Sequence, residues 1–179
     1  DTPSWQDIAD NAELVVLFGG ASLKNSHVGY GGLGPHTAKA DMHTAIQAGV
    51  KFINISPLRE DLDSEFPAEW YAPRPNSDTA IMLGMAHTLV TENLVDTAFL
   101  DKYTTGYDRF LPYFMGQQDG QPKDANWAAA ISEIPADTIR DIARNMARQK
   151  TLIGVSWSIQ RAEHGEQPYW MGIVLAAML

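Results

Sequence analysis

The sequence LVVLFGG, at Leu14–Gly20, is a run of five apolar residues closed by two glycines. A short apolar run bounded by turn formers is typical of a strand that is buried on both faces of a sheet. Two further runs have the same form, Lys51–Ser56, which is followed by Pro57, and Thr151–Ser156. The three runs therefore predict strands of one sheet.

One helical pattern lies between the first two predicted strands, and another follows the second strand further along the chain. The segment His36–Ala48 contains the helix formers Ala and Met and is followed by Gly49, a common helix stop signal. Residues Thr79–Thr91 carry apolar side chains almost all the way round a helix, which predicts a buried helix. Ser77 or Asp78 is the predicted N-cap of that helix.

The second half of the chain continues this alternation. Val95–Tyr103 and Pro135–Arg148 have the spacing of amphipathic helices, and the latter leads into the third strand. Gly106–Asp124 is rich in turn formers and predicts a surface loop. Short strands that alternate with helices predict an α/β fold of three layers (α/β/α), Rossmann-like, with a mostly parallel sheet and a single domain over residues 1–179.

Composition excludes several classes of function. The formal net charge is −9 and the 13 basic residues are scattered, so a nucleic-acid partner is not expected. The chain has no Cys, which removes disulfides, thiolate metal sites and iron–sulfur clusters within it. No run of about 20 apolar residues predicts a membrane span. A start at Asp1 and an apolar run at Trp170–Leu179 suggest an internal piece of a longer polypeptide.

Candidate ligand-binding residues follow the predicted strands, where ligands bind in parallel α/β sheets. After the first strand, glycines would let backbone N–H groups approach a phosphate, and Lys24 would add positive charge. The spacing matches neither the GxGxxG nor the GxxxxGK[ST] pattern, so a plain turn remains the alternative. After the second strand, Ser56 offers a hydroxyl where dinucleotide folds place a ribose-binding side chain, although Ser–Pro is also an ordinary turn opener.

Two other positions offer polar groups for a ligand. Asp78 is either a helix cap or a carboxylate that accepts hydrogen bonds from the N1–H and N2–H₂ donors of a guanine. Trp157, Ser158 and Arg161 follow the third strand as expected of a pocket lip, and the alternative is a packed Trp with an exposed Arg. The five histidines lack metal-ligand spacing, and no GxSxG motif favours a hydrolase.

Three windows together resemble one enzyme family. They are AIMLGMAHTL at residues 80–89, DGQPK at 119–123 followed by Trp127, and WSIQR at 157–161 followed by HGEQ at 164–167. The chain resembles, over essentially its whole length, the dimethyl sulfoxide, trimethylamine N-oxide and biotin sulfoxide reductases. The resemblance implies a molybdenum oxidoreductase of anaerobic respiration that carries molybdopterin guanine dinucleotide.

The resemblance also implies roles for individual residues. Lys24 and Asn25 resemble a phosphate-side contact, and Ser56 and Pro57 resemble a turn that contacts the guanosine. Asp78 corresponds to the guanine-reading turn. The chain departs from the family pattern at Ala21–Ser22, where an acidic residue or Asn followed by Pro is frequent, and at Ser56, where Asn or Asp is common.

The third window is implied to be catalytic. Trp157, Ser158 and Arg161 lie near the pterin and the metal funnel, with Trp157 as its wall and Arg161 as an electrostatic or hydrogen-bonding group. The family's metal-binding serine lies upstream of this region, so no metal ligand is expected here. Since the rest of the enzyme lies outside this segment, the isolated chain is expected to carry no molybdenum and to be inactive.

The implied whole enzyme reduces an N-oxide or S-oxide. The windows FLPY at residues 110–113 and DGQPK at 119–123 favour a trimethylamine N-oxide reductase-like branch. The resemblance implies an electron-donor protein such as a cytochrome as partner. The implied location is periplasmic, with a cytoplasmic one as the alternative. A non-catalytic nucleotide-binding or structural α/β module is the alternative function.

Overall fold

A computed structural model describes residues 3–25, 28–29, 32–33 and 36–179. The strands are β1 Leu14–Phe18, β2 Val28–Gly29, β3 Gly32–Leu33, β4 Lys51–Ile55, β5 Glu69–Tyr71 and β6 Thr151–Val155. The helices are α1 Trp5–Asn11, α2 Ala38–Gln47, α3 Asp78–Thr91, α4 Thr97–Tyr103, α5 Tyr107–Phe114, α6 Ala125–Ser132, α7 Ala136–Arg148 and α8 Glu166–Met178. Short 3₁₀ turns lie at Leu23–Asn25, Arg59–Asp61 and Trp157–Gln160.

The chain divides into two compact units. The first consists of Asp1–Ala72 and Gln149–Ser156, and the second of Pro73–Arg148 and Trp157–Leu179. The single domain over residues 1–179 stays a prediction.

The first unit is built on a parallel sheet with strand order β5-β4-β1-β6. Every residue of β1 has a partner on both sides, from Leu14, which pairs with Lys51 and Thr151, to Phe18. All five residues of β1 are buried, as expected of an apolar strand in the middle of a parallel sheet. The predicted α/β class and the parallel sheet that joins the three apolar runs are confirmed.

One face of this sheet is covered within the same unit. Val15, Leu17 and Phe52 pack in a cluster with Met42 of α2 and Ile8 of α1. These strand residues lie on one face because side chains alternate along a strand. The carboxyl ends of β1, β4 and β6 consequently lie together at one edge of a sheet held in place by this core.

The second unit is built around α3. Ten of its residues are buried, including Ile81, Met85 and Leu89, and the helix packs against α6, α7 and α8. Helix α7 buries the face that its spacing predicts, with Ile139, Ile142, Ala143 and Met146 inside. The predicted buried helix and the predicted amphipathic helix are both confirmed.

One predicted loop is wrong in its first part. Helix α5 lies inside Gly106–Asp124 and contains Pro112, which removes one backbone hydrogen bond from it. Phe114 is fully buried, and its ring centroid lies 5.1 Å from that of Phe110, so apolar packing stabilises this helix. Turns follow from Met115 to Gly120, where the glycines and Asp119 predicted them. Among the described residues, no helix is long and apolar enough to cross a membrane.

Candidate functional site

In the first unit, the loop after β1 lies directly against the loop after β4. Gly20 has a φ of +74°, and a Cβ atom there would lie 2.3 Å from the backbone oxygen of Asp61. The neighbouring N–H of Ala21 donates to that same oxygen at 2.9 Å. Only glycine has both the conformational freedom and the space for this contact, so Gly20 serves to dock the two loops together.

Ser56 directly follows β4, and its hydroxyl, N–H and carbonyl groups all make hydrogen bonds. Its side chain is fully buried, and its hydroxyl donates to Oδ2 of Asp61 at 2.5 Å. Its N–H donates to the carbonyl of Tyr71 at 3.1 Å, and its carbonyl accepts from Nε1 of Trp70 at 2.9 Å. Ser56 is therefore held rigidly and in turn holds the Asp61 carboxylate.

Lys24 lies beside the same carboxylate. Its Nζ is 3.9 Å from Oδ1 of Asp61, and its side chain is 68% exposed, so the ammonium group remains accessible to a ligand. The N–H of Leu23, in the same turn, donates to Oδ2 of Asp63 at 3.1 Å. The predicted phosphate loop thus already uses the N–H groups of Ala21 and Leu23 within the protein. The side chain of Asn25 lies outside the described residues.

The structure therefore brings together Lys24 and Ser56, with Pro57 exposed beside them. Asp61 joins them, although no sequence motif indicated this residue. The available signal was an acidic residue five positions beyond Ser56 in the loop that follows the second strand. The sequence alone does not distinguish Asp61 from the other acidic residues near it. The fold of the loop does so, because it brings Asp61 to Ser56.

In the second unit, Asp78 is the first residue of α3 and is 9% exposed. Burial raises the pKa of its carboxyl group, and a hydrogen bond from its own backbone N–H opposes this shift. The prediction of Ser77 as the N-cap residue is confirmed, but its side chain makes no capping hydrogen bond. Ser77 occupies the N-cap position, but it is not in the extended conformation that capping needs, and its hydroxyl donates to the carbonyl of Arg74 at 2.5 Å.

Trp157, Ser158 and Arg161 form one turn of the second unit. Trp157 begins the 3₁₀ segment, and the N–H of Arg161 donates to the carbonyl of Ser158 at 3.1 Å. All three side chains are exposed, and Trp157 is 61% exposed, so the alternative of a packed core Trp is wrong. The convergence of Asp78 and these residues with Ser56, which belongs to the first unit, stays a prediction.

The second unit also has an apolar groove of about 510 Å³. Tyr107, Phe110, Trp170 and Ile173 lie along it, whereas Asp78 and Arg161 do not. It offers few polar groups to orient a nucleotide, so we do not assign it to one. Among the described residues, no three His, Asp or Glu side chains are grouped to hold a metal ion.

Comparison with curated proteins identifies relatives over almost the whole chain. It is 43% identical over 98% of its length to a dimethyl sulfoxide/trimethylamine N-oxide reductase of Rhodobacter capsulatus. It is 41% identical over 96% to a biotin sulfoxide reductase of Cereibacter sphaeroides, and 40% identical over 98% to trimethylamine-N-oxide reductase 1 of Escherichia coli K12. The chain spans 21%, 23% and 22% of these proteins.

A solved structure has a fold similar to that of this chain. Acetylene hydratase from Pelobacter acetylenicus matches with a TM-score of 0.72 at 19% identity, over 95% of this chain and 22% of that one. The family described as molybdopterin oxidoreductase matches residues 3–179. With nearly its whole length matched, this chain belongs to the molybdopterin oxidoreductase family.

Proposed function

We propose that this chain is the cofactor-binding segment of a molybdenum oxidoreductase that reduces N-oxides or S-oxides, and that it holds the nucleotide end of a molybdopterin guanine dinucleotide. The observation that carries the proposal is the buried Asp78 carboxylate at the start of α3. The chain is the segment, and the activity belongs to the longer protein, because the relatives are about five times its length.

The residues present fit the guanine end of such a cofactor. A buried carboxylate is costly unless donors satisfy it, and burial raises the pKa of Asp78 despite a hydrogen bond from its own N–H. The N1–H and N2–H₂ groups of guanine are two adjacent donors that match the two oxygens of a carboxylate. A bound guanine would therefore supply a donor to each oxygen of the buried Asp78 carboxylate.

The first unit offers groups for the rest of the nucleotide. Lys24 provides an exposed positive charge beside a glycine turn, as a diphosphate needs. Pro57 and the buried Ser56 shape the turn after β4, at the edge where nucleotides bind in parallel sheets. We assign Asn25 to the phosphate side on the family resemblance.

Trp157, Ser158 and Arg161 are assigned to the pterin and metal end. When bound, the cofactor supplies the two-electron oxygen-transfer chemistry. The guanidinium of Arg161 is exposed and can stabilise negative charge that develops on the substrate oxygen. The exposed ring of Trp157 can exclude water from one side of the site.

The substrate branch is the finer part of the proposal. The chain is 38–40% identical to several trimethylamine-N-oxide reductases and 41% identical to a biotin sulfoxide reductase, so identity alone does not separate N-oxide from S-oxide substrates. We favour a trimethylamine N-oxide reductase-like enzyme of the periplasm, with a cytochrome-type electron donor. The choice of substrate branch rests on the windows at 110–113 and 119–123. The location and the electron donor rest on the family resemblance.

The test measures guanine nucleotide in the full-length protein. Acid hydrolysis releases GMP from the cofactor, which chromatography quantifies together with molybdenum per protein. Asp78→Asn should lower the content of both, since two charge-assisted hydrogen bonds of roughly 1.5–3 kcal/mol each are weakened. Arg161→Ala is the matched comparison, and it should lower turnover while leaving GMP content close to that of the parent. Unchanged GMP in Asp78→Asn would overturn the guanine assignment.

A non-catalytic nucleotide-binding or structural module is the alternative. It shares the fold and the glycine turn, so the fold does not separate it from the enzyme. Purified full-length protein that binds guanine nucleotides but lacks molybdenum would favour the module. Reduction of trimethylamine N-oxide or dimethyl sulfoxide with a reduced dye would favour the enzyme.

A further inference from the structure

The loop after β4 holds a carboxylate that the family resemblance did not assign. Asp61 ends the 3₁₀ turn Arg59–Asp61, and its side chain is 24% exposed. Its oxygen Oδ2 accepts from the buried hydroxyl of Ser56, whereas Oδ1 lies 3.9 Å from Nζ of Lys24, beyond hydrogen-bond distance. One carboxylate oxygen is thus fixed by the protein and the other remains available.

The position of Asp61 limits what it can bind. The loops after β1 and β4 are adjacent because β1 and β4 are neighbouring parallel strands. In parallel sheets that bind nucleotides, the glycine turn after the first strand takes the diphosphate, and an acid after the second strand accepts from ribose hydroxyls. Ser56, directly after β4, cannot do this itself, since it is fully buried and its hydroxyl is used.

We propose that Asp61 is the group that recognises the ribose of the bound nucleotide, and that Ser56 positions it. An ionised carboxylate only accepts hydrogen bonds, so it selects a ligand with hydroxyl donors over one without them. This proposal rests on the proposed function, and it assigns recognition of the ribose to the first unit. Its ligand class is a ribonucleoside diphosphate.

The contact with Gly20 supports a fixed geometry for this group. The Asp61 backbone oxygen accepts from the N–H of Ala21, at a place where any Cβ on residue 20 would collide with it. Backbone and side chain of Asp61 are therefore both held. A carboxylate held in advance loses little conformational entropy when it accepts a hydrogen bond from a ligand.

The test uses this chain with GDP and 2′,3′-dideoxy-GDP as probes, by isothermal titration calorimetry. The parent should bind GDP about tenfold or more tightly than the dideoxy analogue, the factor expected for lost hydrogen bonds to a charged group. Asp61→Asn should abolish most of this preference by weakening GDP binding without weakening dideoxy-GDP binding. Glu60→Gln, an equal charge change at the adjacent exposed residue, should keep it.

Ser56→Ala separates positioning from folding. It should reduce the preference partly, because the carboxylate stays but loses its internal donor. If Asp61→Asn lowered the affinity for both probes equally, Asp61 would have a purely structural role and the inference would be overturned. A preference for GDP that survives this substitution would also overturn it. Failure of the parent chain to bind either probe would instead contradict nucleotide binding by this chain, and this inference with it.

Discussion

At the scale of single residues, Asp78 shows a conflict between stability and binding. Burial raises the pKa of its carboxyl group, so the folded protein binds the proton more tightly than the unfolded chain does. The contribution of this group to stability is therefore present at low pH and lost as pH rises through the raised pKa. At a pH above the raised pKa, this contribution to stability is lost.

A substitution tests this conflict. Asp78→Asn should raise the free energy of unfolding of the unliganded chain by roughly 0.5–2 kcal/mol at pH 7, a common range when a destabilising functional group is removed. The gain should shrink as pH falls toward the ordinary value of 3.8, where the unfolded chain also becomes protonated. Urea titrations at several pH values measure it.

Asp108 provides the matched control for that measurement. It also lies in the first turn of a helix, but it is exposed, so Asp108→Asn should change stability little. If Asp78→Asn destabilised the chain at neutral pH, the carboxylate would have an internal partner and would not be awaiting donors from a ligand.

At the scale of elements, α3 and α6 approach each other closely at Gly84. A Cβ atom there would lie 2.8 Å from Cβ of Ala128 and 3.3 Å from Cα of Ala125. Glycine costs about 0.5–1 kcal/mol within a helix relative to alanine. Its presence in the middle of α3 is explained by this packing.

Gly84→Ala should therefore lower the free energy of unfolding by roughly 1–3 kcal/mol, because overpacking outweighs the gain in helix propensity. Adding Ala128→Gly removes the nearest clash, so the double variant should be more stable than the sum of the single changes predicts. Denaturant unfolding of all four proteins measures this coupling. Additive effects would show that the two positions do not meet.

At the scale of the whole molecule, the sheet of the first unit depends on a distant part of the chain. Strand β6 pairs with β1 along its full length, although more than 130 residues separate them, and the N–H of Lys150 donates to the side chain of Glu13. Because β1 and β6 are so far apart in the sequence, their pairing cannot form until the polypeptide through β6 has been synthesised.

Truncation tests this dependence. A chain that ends at Arg148 should lose protection from hydrogen exchange at Val15–Leu17, since those residues lose β6 as a neighbour. A chain that ends at Ser156 keeps β6 and should retain much more of that protection. Both variants lack α8, so its loss does not explain a difference between them. Equal exchange in the two truncated chains would show that β6 does not stabilise β1.

The sequence by itself was enough to predict the elements that depend only on neighbouring residues. The apolar runs of β1, β4 and β6 and the spacing of α7 predicted their elements, because burial and periodicity are properties of a few consecutive side chains. Three windows of sequence were enough for the family. Strand β5 could not be predicted in this way, since Glu69–Tyr71 has no apolar run and is extended through its pairing with β4.

The candidate site depended on contacts between loops that are distant in sequence. Strand order places the loop after β1 against the loop after β4, and only then does Asp61 meet Ser56 and Lys24. The burial of Asp78 likewise comes from the packing around α3. No local pattern specifies such contacts, because they depend on which strands become neighbours, and that is determined by the free energy of packing the chain as a whole.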